Sequence, residues 1–531
     1  MRPDGKNARW AALVWALLVQ ARVHAWETFP KPRLLNVDEG YFIAFALRMI
    51  DGRFLPYVDA VSLRGPVLYY LTAVAVWLFG PSAGTIRALS FICSSAVTAL
   101  IFGAACLARR PFVGAVGVLG WALLCVAHSS PSDAIAYNGE VVLDVFAMGS
   151  LASLLVAFRA SRPGARTAWF FASGALVSLA ALSKQVGIAC ALPLGLWVVV
   201  AAVSRREHPV SERRLWVAAF GGGFVLPLAI VLARYAAAGE LHSLYYYTIV
   251  YNRDVYALRG AVRHDAFDKW LTEYLPFSAF GAVVLGGLGA RILSSPERAA
   301  RYDRDGFVMT LAFETTCTAI AANASLRDFG HYYLLVYPWA ALLAGAVVER
   351  LLRPSRAIAV ELVALLIPAV LIAWGAAAER DRFKRLDDIG MLFGLPTKGL
   401  CEYVDKHSEP WSPILVWGFR PDVYVDCKRR AASRFVYTSF PAGVVIADPS
   451  PRDRDSVAVP GSRAELLADL EETKPKIIVD AGKSLPRHPR MNEYPVFAAY
   501  LDEHYCADGA WLDWPLYLRK QPGTPCPPPH P

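Results

Sequence analysis

Two adjacent acids, Asp38 and Glu39, follow the first apolar run of the sequence. A carboxylate in such a position can act as a general base that takes a proton from an attacking hydroxyl group. Acids at the start of a helix can also act as caps, because they meet the positive end of the helix dipole. Both interpretations are open from the residue pair alone. The same loop carries a further acid, Asp59, for which a solvated surface charge is the simpler expectation.

Other ionisable and aromatic residues stand at the ends of later apolar runs. Glu140 and Asp144 are four residues apart, so they share one helical face and could point into one cavity. Asp144 could instead form an ion pair within a helix bundle. Lys184 could bind an anion or extend its ammonium group to the membrane interface. Tyr246 lies in a tyrosine run that indicates either a binding wall or an interfacial aromatic belt.

A later segment, Arg327-Asp328-Phe329-Gly330-His331-Tyr332-Tyr333, brings an arginine and a histidine close together in the chain. Arg327 and His331 could hold a phosphate through charge-assisted hydrogen bonds. Glu314 lies near the middle of an apolar run, where an ionisable group is costly and usually forms a pair or lines a cavity. Arg327 and His331 are therefore candidates for binding a phosphate group.

The elements that must position these groups are those of a polytopic α-helical membrane protein. In a chain of 531 residues, 55% are hydrophobic and only 19% are charged, which is unlike a soluble globule. Eleven apolar runs reach spanning length, near residues 10–25, 88–107, 112–128, 140–158, 168–183, 186–203, 215–235, 276–290, 307–324, 332–348 and 357–377. A further run, Pro66–Phe79, would cover only about 21 Å as a helix, less than a hydrocarbon core of about 30 Å.

The arginine distribution decides between eleven and twelve spans. The net charge of +9 could suggest a nucleic-acid partner, but the arginines form short clusters between apolar runs, so no nucleic acid is expected. Cytoplasmic loops accumulate Lys and Arg; eleven spans put these clusters in the cytoplasm, whereas twelve put them outside. We therefore expect about 11 transmembrane helices within residues 1–377 and a cytoplasmic N-terminus. Pro66–Phe79 would be a surface helix in a long first outer loop, residues 26–87.

The composition changes abruptly after residue 377, where charged residues become more frequent. Ile414–Trp417 and Lys476–Asp480 are typical of short strands, and Arg463–Thr473 has helical spacing. Residues 378–531 therefore predict a small α/β extracytoplasmic domain, large enough to hold its own core. The proline-rich end, Pro522–Pro531, predicts disorder.

The nine cysteines divide between the two parts of the chain. Those in apolar segments are expected to pack as small hydrophobic residues. The four in the tail could form two disulfides if this domain faces an oxidising compartment. Four cysteines allow three pairings, and the sequence does not choose among them. The simplest pairing by proximity is Cys401–Cys427 with Cys506–Cys526.

The first loop resembles that of the C-type (GT-C) glycosyltransferases, especially the branch with protein O-mannosyltransferases (glycosyltransferase family 39) and lipid A aminoarabinose transferases. The likeness rests on Val37-Asp38-Glu39-Gly40-Tyr41, a Gly-rich turn, and the surface-helix start Gly65-Pro66-Val67-Leu68-Tyr69-Tyr70. It continues in Asn138-Gly139-Glu140, Ser183-Lys184-Gln185 and the Arg327–Tyr333 segment. Arg64 and Gly65 depart from it, since relatives often have His-Pro or Lys-Pro there.

The resemblance implies an inverting enzyme that moves a sugar from a polyprenyl-phosphate donor to a lipid, glycan or protein acceptor. The reaction would take place at the outer face of a bacterial inner membrane, among membrane lipids. The implied catalytic acids are Asp38, as general base, with Glu39 and Glu140. Donor and phosphate binding would fall to Arg64, Lys184, Tyr246, Arg327 and His331, because cations in a water-poor cleft stabilise a departing phosphate.

Two other classes and a metal site compete with this interpretation. A transporter could use Asp144 and Glu314 as an ion pathway, but the sequence shows no repeated halves with matching broken helices. A non-catalytic scaffold would not need the intact Asp38 and Glu140. These two acids and Asp59 could form an oxygen-ligand site for a divalent cation. No cofactor is expected, since the branch does not use a nucleotide-sugar diphosphate.

Overall fold

In the computed structural model, the described residues are 10, 13–15, 17–18, 34–128, 135–256, 296–322, 330–352, 397–445, 453–484, 488–521 and 526. The predicted spans at 276–290 and 357–377 lie outside them, as does most of the span at 10–25. Arg327 and most of the proline-rich end also lie outside the described residues.

In the described stretch that begins at residue 34, two helices precede the long membrane helices. Helix α1 spans Val37–Asp51 and is capped by Asn36, whose side chain accepts a hydrogen bond from the Glu39 amide at 3.0 Å. Helix α2 spans Pro66–Phe79, as the sequence predicts, and begins with proline, whose missing N–H is not needed there. Asn36 is thus the N-cap residue in place of Asp38 or Glu39, while both acids lie in the first turn, at the positive end of the helix dipole.

Within the described residues 83–128 and 135–237, the membrane part continues through six helices: α3 (Ala83–Leu107), α4 (Pro111–His128), α5 (Gly139–Arg159), α6 (Pro163–Ser183), α7 (Ala191–Ser204) and α8 (Val210–Ala237). A 3-10 turn, Gln185–Cys190, extends α7 at its start. With this turn included, five of the six are long and apolar enough to cross a membrane, and α4 is a shorter apolar helix. The chain is therefore a membrane protein.

Three more helices complete this part of the described chain. They are α9 (Leu241–Tyr245), α10 (Pro296–Ala322) and α11 (Tyr337–Leu352). Two π-helical turns, Tyr246–Val250 and Asn252–Tyr256, follow α9, and a 3-10 segment, Gly330–Leu335, precedes α11. The six runs predicted between residues 88 and 235 are confirmed as apolar helices, because they coincide with α3 to α8. The total of about 11 spans stays a prediction.

Close approach of α6 and α8 depends on two glycines. A Cβ atom on Gly174 would lie 2.0 Å from the carbonyl oxygen of Phe220. A Cβ atom on Gly223 would lie 2.0 Å from the carbonyl oxygen of Phe171. Small residues at such crossings let membrane helices pack backbone to backbone.

The membrane helices separate two groups of charged residues. Helix α5 has Glu140 in its first turn and Arg159 at its end. Helix α6 returns from Arg166 to Lys184, which directly follows it. Arg166 pairs with Glu212 of α8 at 2.5 Å, at the same end as Arg159. The 21 residues of α5 place the two ends about 30 Å apart.

The C-terminal domain is built on a five-stranded sheet in the order β2-β1-β3-β5-β4. Its strands are β1 (Pro413–Gly418), β2 (Arg430–Ala431), β3 (Ile477–Ala481), β4 (Tyr505–Trp511) and β5 (Trp514–Arg519). Strand β1 pairs in parallel with β2 and β3, whereas β5 pairs antiparallel with β3 and β4. The flanking helices are α12 (Lys398–His407), α13 (Asp422–Asp426), α14 (Ser439–Ala442), α15 (Arg454–Val457), α16 (Ser462–Thr473) and α17 (Pro495–His504). The predicted α/β architecture is confirmed.

Two disulfides stabilise this domain, Cys401–Cys427 and Cys506–Cys526. The prediction that the tail cysteines form disulfides is therefore confirmed, in the pairing that is simplest by proximity. The five cysteines of the apolar segments, all within the described residues, form no disulfide.

The C-terminal domain packs against α1 and the loop after it. A Cβ atom on Gly40 would lie 2.8 Å from the Cα atom of Asp422, so the first turn of α1 touches the start of α13. The amide of Val61 donates a hydrogen bond to the carbonyl oxygen of Arg434 at 3.0 Å. Buried side chains of α1, α2 and the sheet form one hydrophobic cluster. The domain thus covers the end of the bundle at which Glu140 lies.

Candidate active site

Asp38 lies in the first turn of α1, where its two carboxylate oxygens have different partners. Arg64 donates a hydrogen bond from Nη2 to Oδ2 at 2.6 Å and forms an ion pair. Tyr437 of the C-terminal domain donates a hydrogen bond from its hydroxyl to Oδ1 at 2.7 Å. The candidate base is thus held between the first loop and a residue 399 positions away in sequence.

The charge state of Asp38 follows from these neighbours. Burial alone would raise the pKa of this carboxyl group. The charge of Arg64 and the hydrogen bond from Tyr437 outweigh burial, with smaller contributions from the charges of His331 and Lys184. The pKa of Asp38 therefore lies below its ordinary value, and the group is a carboxylate at neutral pH. A base in this state is ready to accept a proton.

The turn that carries Arg64 is fixed by its neighbours. Gln185 donates a hydrogen bond to the carbonyl oxygen of Leu63 at 2.7 Å, and Tyr57 donates one to the carbonyl oxygen of Arg64 at 2.5 Å. A Cβ atom on Gly65 would lie 2.1 Å from the carbonyl oxygen of Leu182. The glycine that departs from the family pattern therefore lets the turn lie directly against the end of α6, next to Lys184.

A second acid and cation pair lies beside the first. Glu140, almost fully buried at the start of α5, forms an ion pair with Lys184 at the end of α6. The ammonium group of Lys184 also lies 3.9 Å from the centroid of the Tyr332 ring, close enough for a cation–π interaction. The Tyr332 hydroxyl is hydrogen-bonded to that of Tyr256 at 3.0 Å. Lys184 thus sits between an acid and an aromatic face.

His331 joins the two pairs. Its ring packs edge-on against Tyr332, with the ring centroids 4.8 Å apart. A positive charge on its ring would lower the pKa of Asp38. Asp38, Glu140, Arg64, Lys184 and His331, which the sequence places in four separate segments, therefore meet in one cluster.

Glu39 has different surroundings from its neighbour Asp38. Its side chain is fully buried and accepts hydrogen bonds from the guanidinium of Arg87 at 2.5 Å and the Tyr137 amide at 2.8 Å. The Leu35 amide donates to its other oxygen at 2.7 Å. Each oxygen already accepts a hydrogen bond from the protein. This geometry favours a structural role for Glu39 over the catalytic one that the sequence suggested.

Three further sequence expectations meet a mixed outcome. Asp59 is buried and accepts hydrogen bonds from the amides of Arg53 at 2.9 Å and Leu55 at 2.6 Å, so its expectation as a solvated charge is wrong. Asp59 stabilises a turn, because both of its carboxylate oxygens accept hydrogen bonds from backbone amides. Asp144 is fully buried, and in the described part of the chain its carboxylate forms no hydrogen bond, so the alternative of an ion pair is not supported. Arg327 lies outside the described residues.

Tyr246 lies in the first π-helical turn, among other aromatic side chains. Its ring packs against His242, Tyr247 and Tyr251, with centroid separations of 5.3–6.4 Å. The rings that contact the charged cluster include those of Tyr332, Tyr437 and Phe42. A donor-binding role for Tyr246 stays a prediction.

Sequence reasoning missed Tyr437 and Arg87. No local pattern marks Tyr437, because its partner lies in another domain. Arg87 carried a usable signal, since a buried arginine at the start of an apolar helix needs an acid as partner. Among the described residues, no group of three or more His, Cys, Asp or Glu side chains is arranged to hold a metal ion.

The fold resembles that of solved membrane proteins. No protein-family model and no curated protein sequence matches the chain. The structure of ArnT from Cupriavidus metallidurans in the apo state matches with a TM-score of 0.55 and 16% identity, over 97% of this chain and 98% of that chain. ArnT bound to undecaprenyl phosphate matches with a TM-score of 0.51 and 16% identity, over the same shares.

A weaker likeness, with a TM-score of 0.49 and 13% identity, is to the archaeal oligosaccharyltransferase AglB from Archaeoglobus fulgidus. It covers 98% of this chain and 75% of that chain. Identities this low establish the fold alone. The chain has the fold of the C-type glycosyltransferases, as the resemblance of its first loop predicted.

Proposed function

We propose that this chain is a glycosyltransferase that moves a sugar from a polyprenyl-phosphate carrier to a hydroxyl group of a lipid, glycan or protein. The observation that carries the proposal is the charged cluster at one end of the bundle. A carboxylate, Asp38, lies there with three candidate cations, Arg64, Lys184 and His331, in a fold shared with ArnT. ArnT has been solved with undecaprenyl phosphate bound, which supports a donor of this class.

In the proposed reaction, the acceptor oxygen attacks the anomeric carbon of the sugar. Asp38 takes the proton of the acceptor hydroxyl as the new C–O bond forms. The bond between the anomeric carbon and the carrier phosphate breaks, and its electron pair stays on the phosphate oxygen. Attack from the face opposite the leaving phosphate inverts the anomeric carbon. A single displacement of this kind needs no covalent enzyme intermediate.

The cations stabilise the negative charge that grows on the phosphate, which is a large term in a site with little water. Arg64 is paired with Asp38 and Lys184 with Glu140. A bound phosphate would compete with Glu140 for Lys184, so Glu140 holds Lys184 in place until the donor arrives. Arg64 has further N–H donors for the phosphate and can keep its bond to Asp38. Arg327 and Tyr246 are further donor contacts in this proposal. Glu39 acts through Arg87 by fixing the start of α1.

We further propose that the cluster faces the outside of a bacterial inner membrane, with the N-terminus in the cytoplasm. The charged cluster lies at the opposite end of α5 from Arg159 and Arg166, and cytoplasmic loops are enriched in such residues. The two disulfides of the C-terminal domain fit an oxidising compartment. The donor would then enter from the outer leaflet.

The test is a reconstituted assay. Purified full-length protein in lipid nanodiscs is incubated with a panel of undecaprenyl-phosphate sugars and with lipid, glycan and peptide acceptors. The proposal expects release of undecaprenyl phosphate together with a glycosylated acceptor for one combination. Binding of donors without any transfer, across the panel, would favour the scaffold alternative. Movement of a labelled solute across sealed vesicles would favour a transporter.

A further inference from the structure

We propose that Tyr437 controls which hydroxyl group reaches Asp38: its phenol occupies the proton-accepting oxygen and keeps water away until an acceptor displaces it. This inference rests on the proposed transferase function and names the residue that discriminates between the acceptor and water. It makes the C-terminal domain part of the catalytic site.

The first argument is that the two carboxylate oxygens of Asp38 have different hydrogen-bond partners. Oδ2 is held by the guanidinium of Arg64, which stays protonated and donates only. Oδ1 is therefore the oxygen left to receive the proton of an attacking hydroxyl. The Tyr437 hydroxyl donates its hydrogen bond to this oxygen at 2.7 Å. This is the contact that an acceptor hydroxyl must make before it gives up its proton.

The phenol of Tyr437 keeps its own proton. Burial and the nearby carboxylate of Asp38 raise the pKa of Tyr437 well above its ordinary value. The hydroxyl therefore donates to Asp38 without transferring its proton at neutral pH. It can stand in the place of an acceptor hydroxyl without reacting.

The second argument is the way the ring is held. One face of Tyr437 stacks on Tyr41 of α1, with centroids 4.2 Å apart and planes 2° from parallel. The other face stacks on Phe419 of the C-terminal domain at 3.9 Å and 15°. All three rings are buried. A ring packed on both faces cannot leave Asp38 by rotating in place.

The third argument is that Phe419 and Tyr437 belong to the same domain, whereas Tyr41 belongs to α1. The pair can therefore move away from Tyr41 together when the domain shifts from α1. The polar contacts across this boundary include the Val61–Arg434 hydrogen bond and an exposed ion pair between Asp51 and Arg430 at 3.1 Å. Exposed pairs of that kind contribute little stability, so the shift is opposed chiefly by the apolar packing of α1 against the domain.

The reaction that Tyr437 would suppress is hydrolysis of the donor. A water oxygen would bond to the anomeric carbon, Asp38 would take one water proton, and the bond to the carrier phosphate would break with its electron pair on the phosphate. The products are free sugar and polyprenyl phosphate. Covering Oδ1 removes the base from this reaction until an acceptor binds.

The test compares Tyr437→Phe, which keeps the stacked ring and removes the hydroxyl, with Tyr403→Phe. Tyr403 lies in the same domain and donates a similar hydrogen bond to Asp508 at 2.8 Å, so it is a matched control. Full-length proteins in nanodiscs receive the undecaprenyl-phosphate sugar that the wild type turns over, with and without acceptor. Free sugar, glycosylated acceptor and melting temperature are measured across pH.

For Tyr437→Phe we expect acceptor-independent hydrolysis to rise about tenfold, the factor for losing one hydrogen bond to a charged group. The hydrogen bond from Tyr437 lowers the pKa of Asp38, so its loss raises that pKa. The acidic limb of kcat/KM for the acceptor should therefore move to higher pH, because this ratio reports the pKa of Asp38 before the acceptor displaces Tyr437. Tyr403→Phe should match the wild type in both respects.

The following results would overturn the proposal. Unchanged hydrolysis and an unchanged acidic limb in a folded Tyr437→Phe protein would show that the hydroxyl does not guard the base, while transfer by the wild type would leave the proposed function standing. An equal rise in Tyr403→Phe would point to general loosening of the domain. If Tyr437→Phe unfolds, Phe419→Leu, which keeps the hydroxyl and weakens the stack, must raise hydrolysis. No donor consumption by the wild type would sink both proposals.

Discussion

Asp38 and Glu39 are adjacent in the chain, yet each binds its own arginine: Arg64 contacts Asp38 at 2.6 Å and Arg87 contacts Glu39 at 2.5 Å. The first pair is half-buried and reaches the charged cluster, whereas the second is fully buried. The two acids of one motif therefore have separate tasks, and variants of each should separate activity from stability.

Glu39→Gln should destabilise the protein. Removing the charge leaves Arg87 buried and unpaired, which costs about 3–5 kcal/mol for a buried ion pair. Thermal unfolding in detergent should show a clear fall in melting temperature, and the yield of folded protein should drop. Asp38→Asn is the matched control, since its half-buried pair should contribute less. Equal melting temperatures for Glu39→Gln and the wild type would remove the structural role assigned to this pair.

Arg64→Gln should change the pH dependence of transfer. The positive charge of Arg64 lowers the pKa of Asp38, so its removal raises that pKa. Transfer requires the carboxylate, and the rate should begin to fall at a higher pH than in the wild type. The rate at neutral pH should also fall, because a phosphate-binding cation is lost. The measurement is a pH–rate profile at saturating donor.

The control for that experiment is Arg53→Gln, which removes an exposed arginine of the same loop. Its profile should follow the wild type. An Arg64→Gln profile with an unmoved acidic limb would mean that Arg64 does not set the charge of the base. Arg64 would then have a role in donor binding alone.

The sequence predicted the helices and the separate α/β domain because apolar runs and composition are local signals. It also singled out Glu140, Lys184 and His331 at the ends of apolar runs, and Asp38 by its adjacent acid and the family resemblance of its loop. It did not predict Tyr437, because hydrogen bonding between distant segments leaves no local pattern. The sequence suggested a catalytic role for Glu39 because two adjacent acids cannot be distinguished by their local pattern. The structure distinguishes them, since Glu39 pairs with the fully buried Arg87 and Asp38 with the half-buried Arg64.

Residues 378–531 should be external and the Arg159–Arg166 loop cytoplasmic. Single exposed cysteines are introduced as Asp513→Cys in the C-terminal domain and Arg162→Cys in the loop, and intact spheroplasts are treated with an impermeant thiol reagent. Labelling of the first variant alone is expected, because positively charged loops stay inside. Both should react after the membrane is permeabilised, which controls for accessibility. Labelling of Arg162→Cys alone in intact spheroplasts would invert the topology.

The most direct test of the central claim is turnover by purified Asp38→Asn beside binding of undecaprenyl phosphate to the same protein. Loss of a general base should lower the transfer rate by about 10²–10⁴-fold. The melting temperature should stay close to that of the wild type, and undecaprenyl phosphate should still bind, because the substitution leaves Arg64, Lys184 and His331 in place. Near-normal turnover by Asp38→Asn would contradict the assignment, as would a loss of activity that merely follows a loss of folded protein.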